Sequence, residues 1–516
     1  MFPSSLPDSL PAESLKCAVH PDRLAAVLAL LLLLFTGCGG SHSGQGVINP
    51  VEMPLTRLST DTFTNSTSQH ATEVEPDIVS FGSTLVSVFQ VSRIFTGGSA
   101  DIGFATSTNG GATWTNGFLP GTTVFQGGTF SAVSDPSVAF DAAHGVWILS
   151  SLLIGTSDFV AVSRSSDGLN WGNPVVVSAT PDSDKNWISC DNTAASPFYG
   201  HCYLEWDDPS NNGLIWMATS IDGGLTWQAV NTADSAAGIG GQPLVQPNGN
   251  VVVPILSFLG DKLLAFSSTD GGASWTASIV LSNVVTHGVA GGLRTDPLPS
   301  ATVDASGRVY VVWQDCRFRT NCSSNDLVLS TSPDGLSWSP LARIPIDATN
   351  STVDHFIPGI ASDPASSGSA AHLALAYYYY SSANCTSATC ALFAAEVSSP
   401  DGGNTWSAPS VMAGPITVTW LPNTVSGYMV GDYIAAAFSG GKAFPVFASA
   451  RANSGTVFDE AIFTTTTGLA AAQTKAVIRS AQESPMPNAH SDHALRQFYD
   501  LEHRYPIRRT TSPGPR

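Results

Sequence analysis

Charge is scarce in this chain. Only 12% of its 516 residues are Asp, Glu, Lys or Arg, and 21 Lys and Arg face 40 Asp and Glu, for a formal net charge of −19. A protein so poor in cations lacks the dense basic surface that nucleic acid and anionic lipid require, so no nucleic-acid partner is expected. No CxxC pair occurs and no His clusters beside a cysteine, so zinc-type spacing is missing and neither metal nor cofactor is expected. Long apolar runs are missing too. Leu24 to Phe35 holds twelve residues, short of the roughly twenty that span a bilayer core. Gly and Pro, 47 and 33, stay below the share that marks low-complexity disorder, and 43% hydrophobic residues supply an ample core.

That short run, with Lys16 and Arg23 upstream, suits the h-region of a signal peptide. It ends in Phe35-Thr36-Gly37-Cys38, which resembles the lipobox of bacterial lipoproteins. The resemblance implies a leader over 1–38, lipid on Cys38 and a place in the cell envelope; an ordinary cleaved signal, leaving Cys38 incidental, implies secretion. Residues 39–50 then read as a flexible tether. Behind the leader, the cysteines fall as Cys190/Cys202, Cys316/Cys322 and Cys385/Cys390. Six cysteines allow fifteen connectivities, but proximity favours the three neighbour pairings and an oxidising compartment.

One motif then recurs: STNGGATW from Ser107, SSDGLNW from Ser165, SIDGGLTW from Ser220, STDGGASW from Ser268, SPDGLSW from Ser332 and SPDGGNTW from Ser399. Its tryptophans, from Trp114 to Trp406, are spaced by about 58 residues on average, a period that belongs to propellers and arrays. The chemistry is that of a turn, in which Asp accepts backbone N–H groups, Gly takes positive φ and Trp packs between sheets. The motif resembles the Asp-box, or BNR repeat, of sialidases and related β-propellers. That resemblance gives Asp167, Trp171, Asp222, Trp227, Asp270, Trp275, Asp334, Trp338, Asp401 and Trp406 structural roles on the outer rim.

Before each motif lies a pair of apolar strands joined by a tight turn, as in QPLVQPNGNVVVPILS (242–257) and LPSATVDASGRVYVVWQ (298–314). A seventh pair, from Asp432, has no intact motif after it, while 53–60 looks like a lone outer strand. An all-β, seven-bladed propeller over 51–466 follows, with four-stranded antiparallel blades and 53–60 closing the last; six blades is the alternative. The segment 467–516 reads as a polar, mostly disordered tail, and the protein as a monomer.

In the propellers it resembles, ligands bind over the central channel, at the starts of first strands and in loops after second strands. Those places hold Glu75 and Asp77, Asp135, Lys185 and Trp187, Gln242, Arg294 and Asp296, Asp354 and His355, and Asp432 and Tyr433. They also hold Arg93, Glu205, Asp315 and Arg317, and Arg451. The residues favoured as channel-facing are Asp77, Asp135, Glu205, Asp315, Arg317, Tyr433 and Arg451, with Arg317 foremost because the Cys316–Cys322 loop would hold it. Resemblance to sialidases implies three arginines gripping a carboxylate, a Tyr nucleophile for which Tyr433 stands, and a Glu partner for which Glu205 stands. The Arg-Ile-Pro element of that family is replaced by Glu75-Pro76-Asp77. Three functions stay open: a glycoside hydrolase, a non-catalytic module binding a cell-surface carbohydrate, and an envelope scaffold or protein-binding module.

Overall fold

The computed structural model describes residues 53–178, 182–232 and 235–470. The leader, Cys38, the tether and the tail beyond 470 lie outside them. The described chain is all-β, and its strands pair as consecutive antiparallel meanders. The first comprises Ser68–Phe81, Thr84–Ile94, Ser99–Ser107 and Thr115–Phe118. The second comprises Ala132–Asp141, Val146–Ile154, Phe159–Ser165 and Val175–Val176. The third runs Asp184–Cys190, Cys202–Asp208, Leu214–Ser220 and Gln228–Asn231. In the fourth, Gly238–Ile239 and Leu244–Val245 share the edge of Val251–Ser257, followed by Lys262–Ser268 and Ile279–Asn283. The fifth runs Ser300–Val303, Val309–Asp315, Asp326–Ser332 and Ala342–Arg343, and the sixth Asp354–Ser362, Leu373–Tyr380, Ala391–Ser399 and Ser410–Thr417. The last has Ala435–Ser439, Lys442–Ala450 and Glu460–Thr465.

Its fourth strand comes from the start of the described residues. Leu55–Arg57 pairs antiparallel with Glu460–Thr465, Leu55 opposite Thr465, inside the expected 53–60 segment. Beyond the expected boundary at 466, Leu469–Ala470 still pairs with Lys442 and Ala443.

Local sequence explains the strands. VVVPILS and VYVVWQD are β-branched and aromatic, and every residue of Val251–Ser257 and Val309–Asp315 is buried. Such runs arise when a sheet is covered on both faces. Separate apolar clusters fill the spaces between consecutive meanders: Val88, Phe104, Leu149 and Trp171 between first and second, Tyr203, Val253, Phe266 and Trp275 between third and fourth. Trp171, Trp227, Trp275, Trp338 and Trp406 each pack in or against the cluster shared with the preceding meander, and Trp114 packs against the one that holds Ala437 and Phe444 of the last. First strands of neighbouring meanders touch in chain order, and Ala435–Ser439 touches Ser68–Phe81.

The motif turns behave as their chemistry requires. Asp167 accepts N–H groups from Leu169 and Asn170, both at 2.8 Å, and Trp171 donates Nε1–H to Gly168 O at 3.2 Å. Asp222 takes the Thr226 N–H at 2.9 Å and its hydroxyl at 2.6 Å; Asp401 does the same with Thr405. Asp270 and Asp334 accept from Ser274 and Ser337. The three cysteine pairs are disulfides, with Cα atoms 4.0, 4.8 and 4.9 Å apart for Cys190–Cys202, Cys316–Cys322 and Cys385–Cys390.

Candidate functional site

Four first strands share a device. Each carries a bulge, and within it a non-glycine residue with positive φ: Glu75 at 55°, Asp135 at 47°, Lys185 at 47° and Ile357 at 49°. A bulge re-aims the side chain at the cost of strain that surrounding structure must hold. Glu75 and Asp135, each followed by a proline, and Lys185 thereby reach one cavity of about 180 Å³, lined also by Arg93, Arg294 and Asp432.

Charges are matched in its inner part. Lys185 Nζ lies 3.2 Å from Asp135 Oδ1 and 3.9 Å above the centre of the Tyr433 ring. Arg294 grips Asp432 with Nε at 2.8 Å and Nη2 at 2.5 Å, in a bidentate pair. Arg93 donates Nη1–H to Gln90 Oε1 at 3.0 Å and to Gly98 O at 2.9 Å. Glu75 accepts from Gln90 Nε2 and from the Asp432 N–H.

These contacts set the protonation states. Burial pushes the Glu75 carboxyl up to about 8, against the opposing pull of Lys185. Burial would raise Asp432 as well, but Arg294 and then Lys185 hold it below the usual carboxylate range. Burial would lower Lys185, yet Asp135 and Glu75 outweigh it and keep it a cation. At neutral pH the inner part of the cavity therefore holds Glu75 as a neutral carboxylic acid beside the ionised Asp432 and fixed cations, with Asp296 among the further acids that line the cavity. That is the equipment for giving a proton while stabilising charge.

The favoured channel residues separate. Asp135 lines this cavity, and Tyr433 adjoins it, donating its hydroxyl to Pro136 O at 3.1 Å with Trp187 edge-on at 5.2 Å. Burial and the fields of Glu75 and Asp135 push the Tyr433 phenol well above its ordinary value, which disfavours the phenolate. Asp77 lies past the bulge, on a second cavity of about 280 Å³ shared with Trp187 and Gln242, and accepts the Val138 N–H at 2.9 Å.

Glu205 is fully buried, its carboxyl so close to Gly241 that a Cβ there would meet it at 2.4 Å, and burial pushes it well above its ordinary value. It does not line the cavity, because it sits mid-strand opposite Trp187 and Met217. Asp315 is buried too, and Arg317 is folded back on it, with Nε at 2.9 Å and Nη2 at 2.8 Å, so the guanidinium foremost in the sequence reading is turned to Asp315 rather than to the cavity. Arg451 lines a separate groove with Met53, Trp420 and Asp459, because the chain leaves the sheet at Ala450.

Glu75, Arg93, Lys185, Arg294 and Asp432 stand at channel positions in the sequence but outside the favoured set, and the cavity brings them together. The signal that finds two of the cavity acids is the residue before a recurring proline, Glu75-Pro76 and Asp135-Pro136, at the same place in successive repeats. Another charged cluster, Asp326 and Asp347 beside His355, has ligand atoms within 4.8 Å of one another. Arg319 and Arg343 each contact both carboxylates at 2.5–2.8 Å, so two guanidinium groups occupy the place a cation would take.

No protein-family model and no curated protein matches the chain. Among solved structures, an ulvan lyase of polysaccharide lyase family PL25 is similar at 12% identity over 82% of this chain and 98% of that one, with TM-score 0.47. An intramolecular trans-sialidase from Ruminococcus gnavus is similar at 12% identity over 60% and 90%, TM-score 0.44. A sialidase from Trypanosoma rangeli is similar at 12% identity over 80% of this chain and 57% of its own, TM-score 0.42.

Proposed function

We propose that the protein is an exported seven-bladed Asp-box propeller whose cavity takes one unit of a carbohydrate, and that it is not a conventional sialidase. The observation that carries the reading is the convergence of Glu75, Arg93, Asp135, Lys185, Arg294 and Asp432, from the first three meanders and two segments outside strands, on one concavity. About 180 Å³ is well under the roughly 300–1,000 Å³ of a pocket for a drug-sized ligand, which suits a single sugar with the remaining chain outside. The ring of touching first strands and the pairing of Leu55–Arg57 with Glu460–Thr465 support closure of seven blades. Three disulfides, the apolar run before Cys38 and the scarcity of cations support export, lipid attachment at Cys38 and a monomer facing glycan at the cell surface.

If the bound glycan is cleaved, we assign the proton transfer to Glu75. Neutral below about pH 8, it gives its proton to the leaving oxygen, while Asp135 takes a proton from the water that adds to the sugar carbon. Among the described residues two arginines, Arg93 and Arg294, line the cavity, while Arg317 is bound to Asp315 and Arg451 lies in another groove, which speaks against the three-arginine clamp that sialidase chemistry needs. The full chain, Glu75→Gln and Arg294→Gln are to be tested against neutral and sialylated glycans. The expectation is binding of a neutral glycan, weakened at least about tenfold in Arg294→Gln, with any turnover lost in Glu75→Gln. Sialic acid release by the wild type would overturn the rejection of sialidase chemistry. Failure to bind any glycan would leave the envelope-scaffold reading in its place.

A further inference from the structure

Arg294 belongs to no strand. It stands in the segment 284–299, which links Ile279–Asn283 of the fourth meander to Ser300–Val303 of the fifth, yet its guanidinium is seated on Asp432 at the start of the last. A long side chain delivered by such a segment keeps its place only if the segment is braced from outside.

The braces are present and involve two of the three disulfide loops. Val285 accepts the Cys316 N–H at 2.7 Å and donates its own N–H to Asp315 at 3.2 Å, the carboxylate that Arg317 holds. His287 exchanges hydrogen bonds with the Asn325 side chain at 2.7 and 2.8 Å. Gly291, at φ +77°, lets the backbone lie on the other bridge: a Cβ there would be 2.8 Å from Cys390 Sγ. The Arg294 N–H then donates to Tyr428 O at 2.8 Å. Neither disulfide lines the cavity. Cys190–Cys202, which joins two neighbouring strands of the third meander, makes none of these contacts.

Building on the saccharide reading of the cavity, we infer that Cys316–Cys322 and Cys385–Cys390 are positioning groups that brace residues 284–294 and so keep Arg294 on Asp432. Arg317 acquires a role in the same device, since it fixes the Asp315 carboxylate that takes the Val285 N–H. Asp432 reports on the outcome, because it faces Arg294, Lys185, Arg93 and Glu75, and among these only Arg294 rides on the braced segment.

The test compares full-length Cys385→Ser/Cys390→Ser and Cys316→Ser/Cys322→Ser variants with Cys190→Ser/Cys202→Ser and Arg294→Gln, all without ligand. Backbone hydrogen exchange over 284–296 is expected to quicken at least about tenfold in the first two and to stay at the wild-type rate in the third. The carboxyl ¹³C titration of Asp432 should move upward in the first two, toward that of Arg294→Gln, a shift that general loss of stability does not produce. Unchanged exchange and an unchanged titration in both variants would overturn the inference. If the cysteine variants do not fold, Gly291→Ala, which forces Cys390 Sγ away from the segment, carries the same expectation. Saccharide affinity is measured separately: wild type that binds no glycan defeats the site reading, while the ligand-free measurements still decide the bracing.

Discussion

The fate of a polar side chain here depends on whether a partner is built beside it. Arg317 has its partner two residues away, in Asp315, whereas Arg294 finds Asp432 at a separation of 138 residues. Asp77 and Glu75, one residue apart from the same proline, face different cavities because the bulge turns the chain between them. The motif aspartates are simpler, because the Asn170 N–H and side chain hold Asp167 below the usual carboxylate range. Asp222→Ala should therefore cost about 1 kcal/mol, given its exposure, and leave glycan binding intact, as read by urea unfolding and a binding assay. Trp171→Ala removes a buried ring from the cluster between the first two meanders and should cost about 3–5 kcal/mol by the same unfolding measurement. A loss below about 1 kcal/mol would show that the motif is not a structural anchor.

At the level of elements, the first described strand contributes out of proportion to its length. Leu55–Arg57 covers the outer edge of Glu460–Thr465, and beyond it the Leu58 N–H donates to Ile462 O at 2.8 Å while the Leu58 side chain is 1% exposed. Ser59 adds a link between the first and last meanders, donating to Glu73 at 2.6 Å and accepting the Ile462 N–H at 2.9 Å. Leu58→Ala should cost about 2–5 kcal/mol. Removing residues 53–60 should expose a strand edge and bring concentration-dependent association, measurable by light scattering. A shortened chain that stays monomeric with unchanged melting would remove the basis for closure by this strand. The hairpins themselves follow from local chemistry, as at Gly440 and Gly441, where successive positive φ values of 59° and 73° make the tight turn between Ser439 and Lys442.

For the molecule as a whole, buried acids govern the response to pH. Burial raises Glu73 to about 7, Glu75 to about 8, Asp77 to about 6 and Glu396 to about 7, from ordinary values of 4.5 for Glu and 3.8 for Asp. Between those ordinary values and the raised ones the folded chain binds more protons than the unfolded one. The contribution of these groups is thus complete below about pH 4 and lost as pH rises through 6–8. Asp222, held near 2 by the Thr226 bonds against the cost of burial, works the other way, and its contribution is lost only in strong acid. Melting should occur at higher temperature at pH 5 than at pH 8.5, and Glu396→Gln should flatten the difference; a melting point that rises toward pH 8.5 would contradict the assignment. By itself the sequence determined what is local: the β-strands, the motif turns with their Asp and Trp, the three neighbouring disulfides and an N-terminal strand left without a partner in its own repeat. Each of these is specified by residues within a few positions of one another, so periodicity and turn chemistry suffice. Which charged groups share a cavity was decided by the tertiary structure. Bulges at Glu75, Asp135 and Lys185 aim side chains in ways that strand alternation does not encode, and ion pairs such as Arg294–Asp432 join segments 138 residues apart. The carboxyl groups that stay protonated toward neutral pH are those that burial takes from water, and that burial, with the neighbours that oppose or add to it at Glu75, exists only in the folded chain.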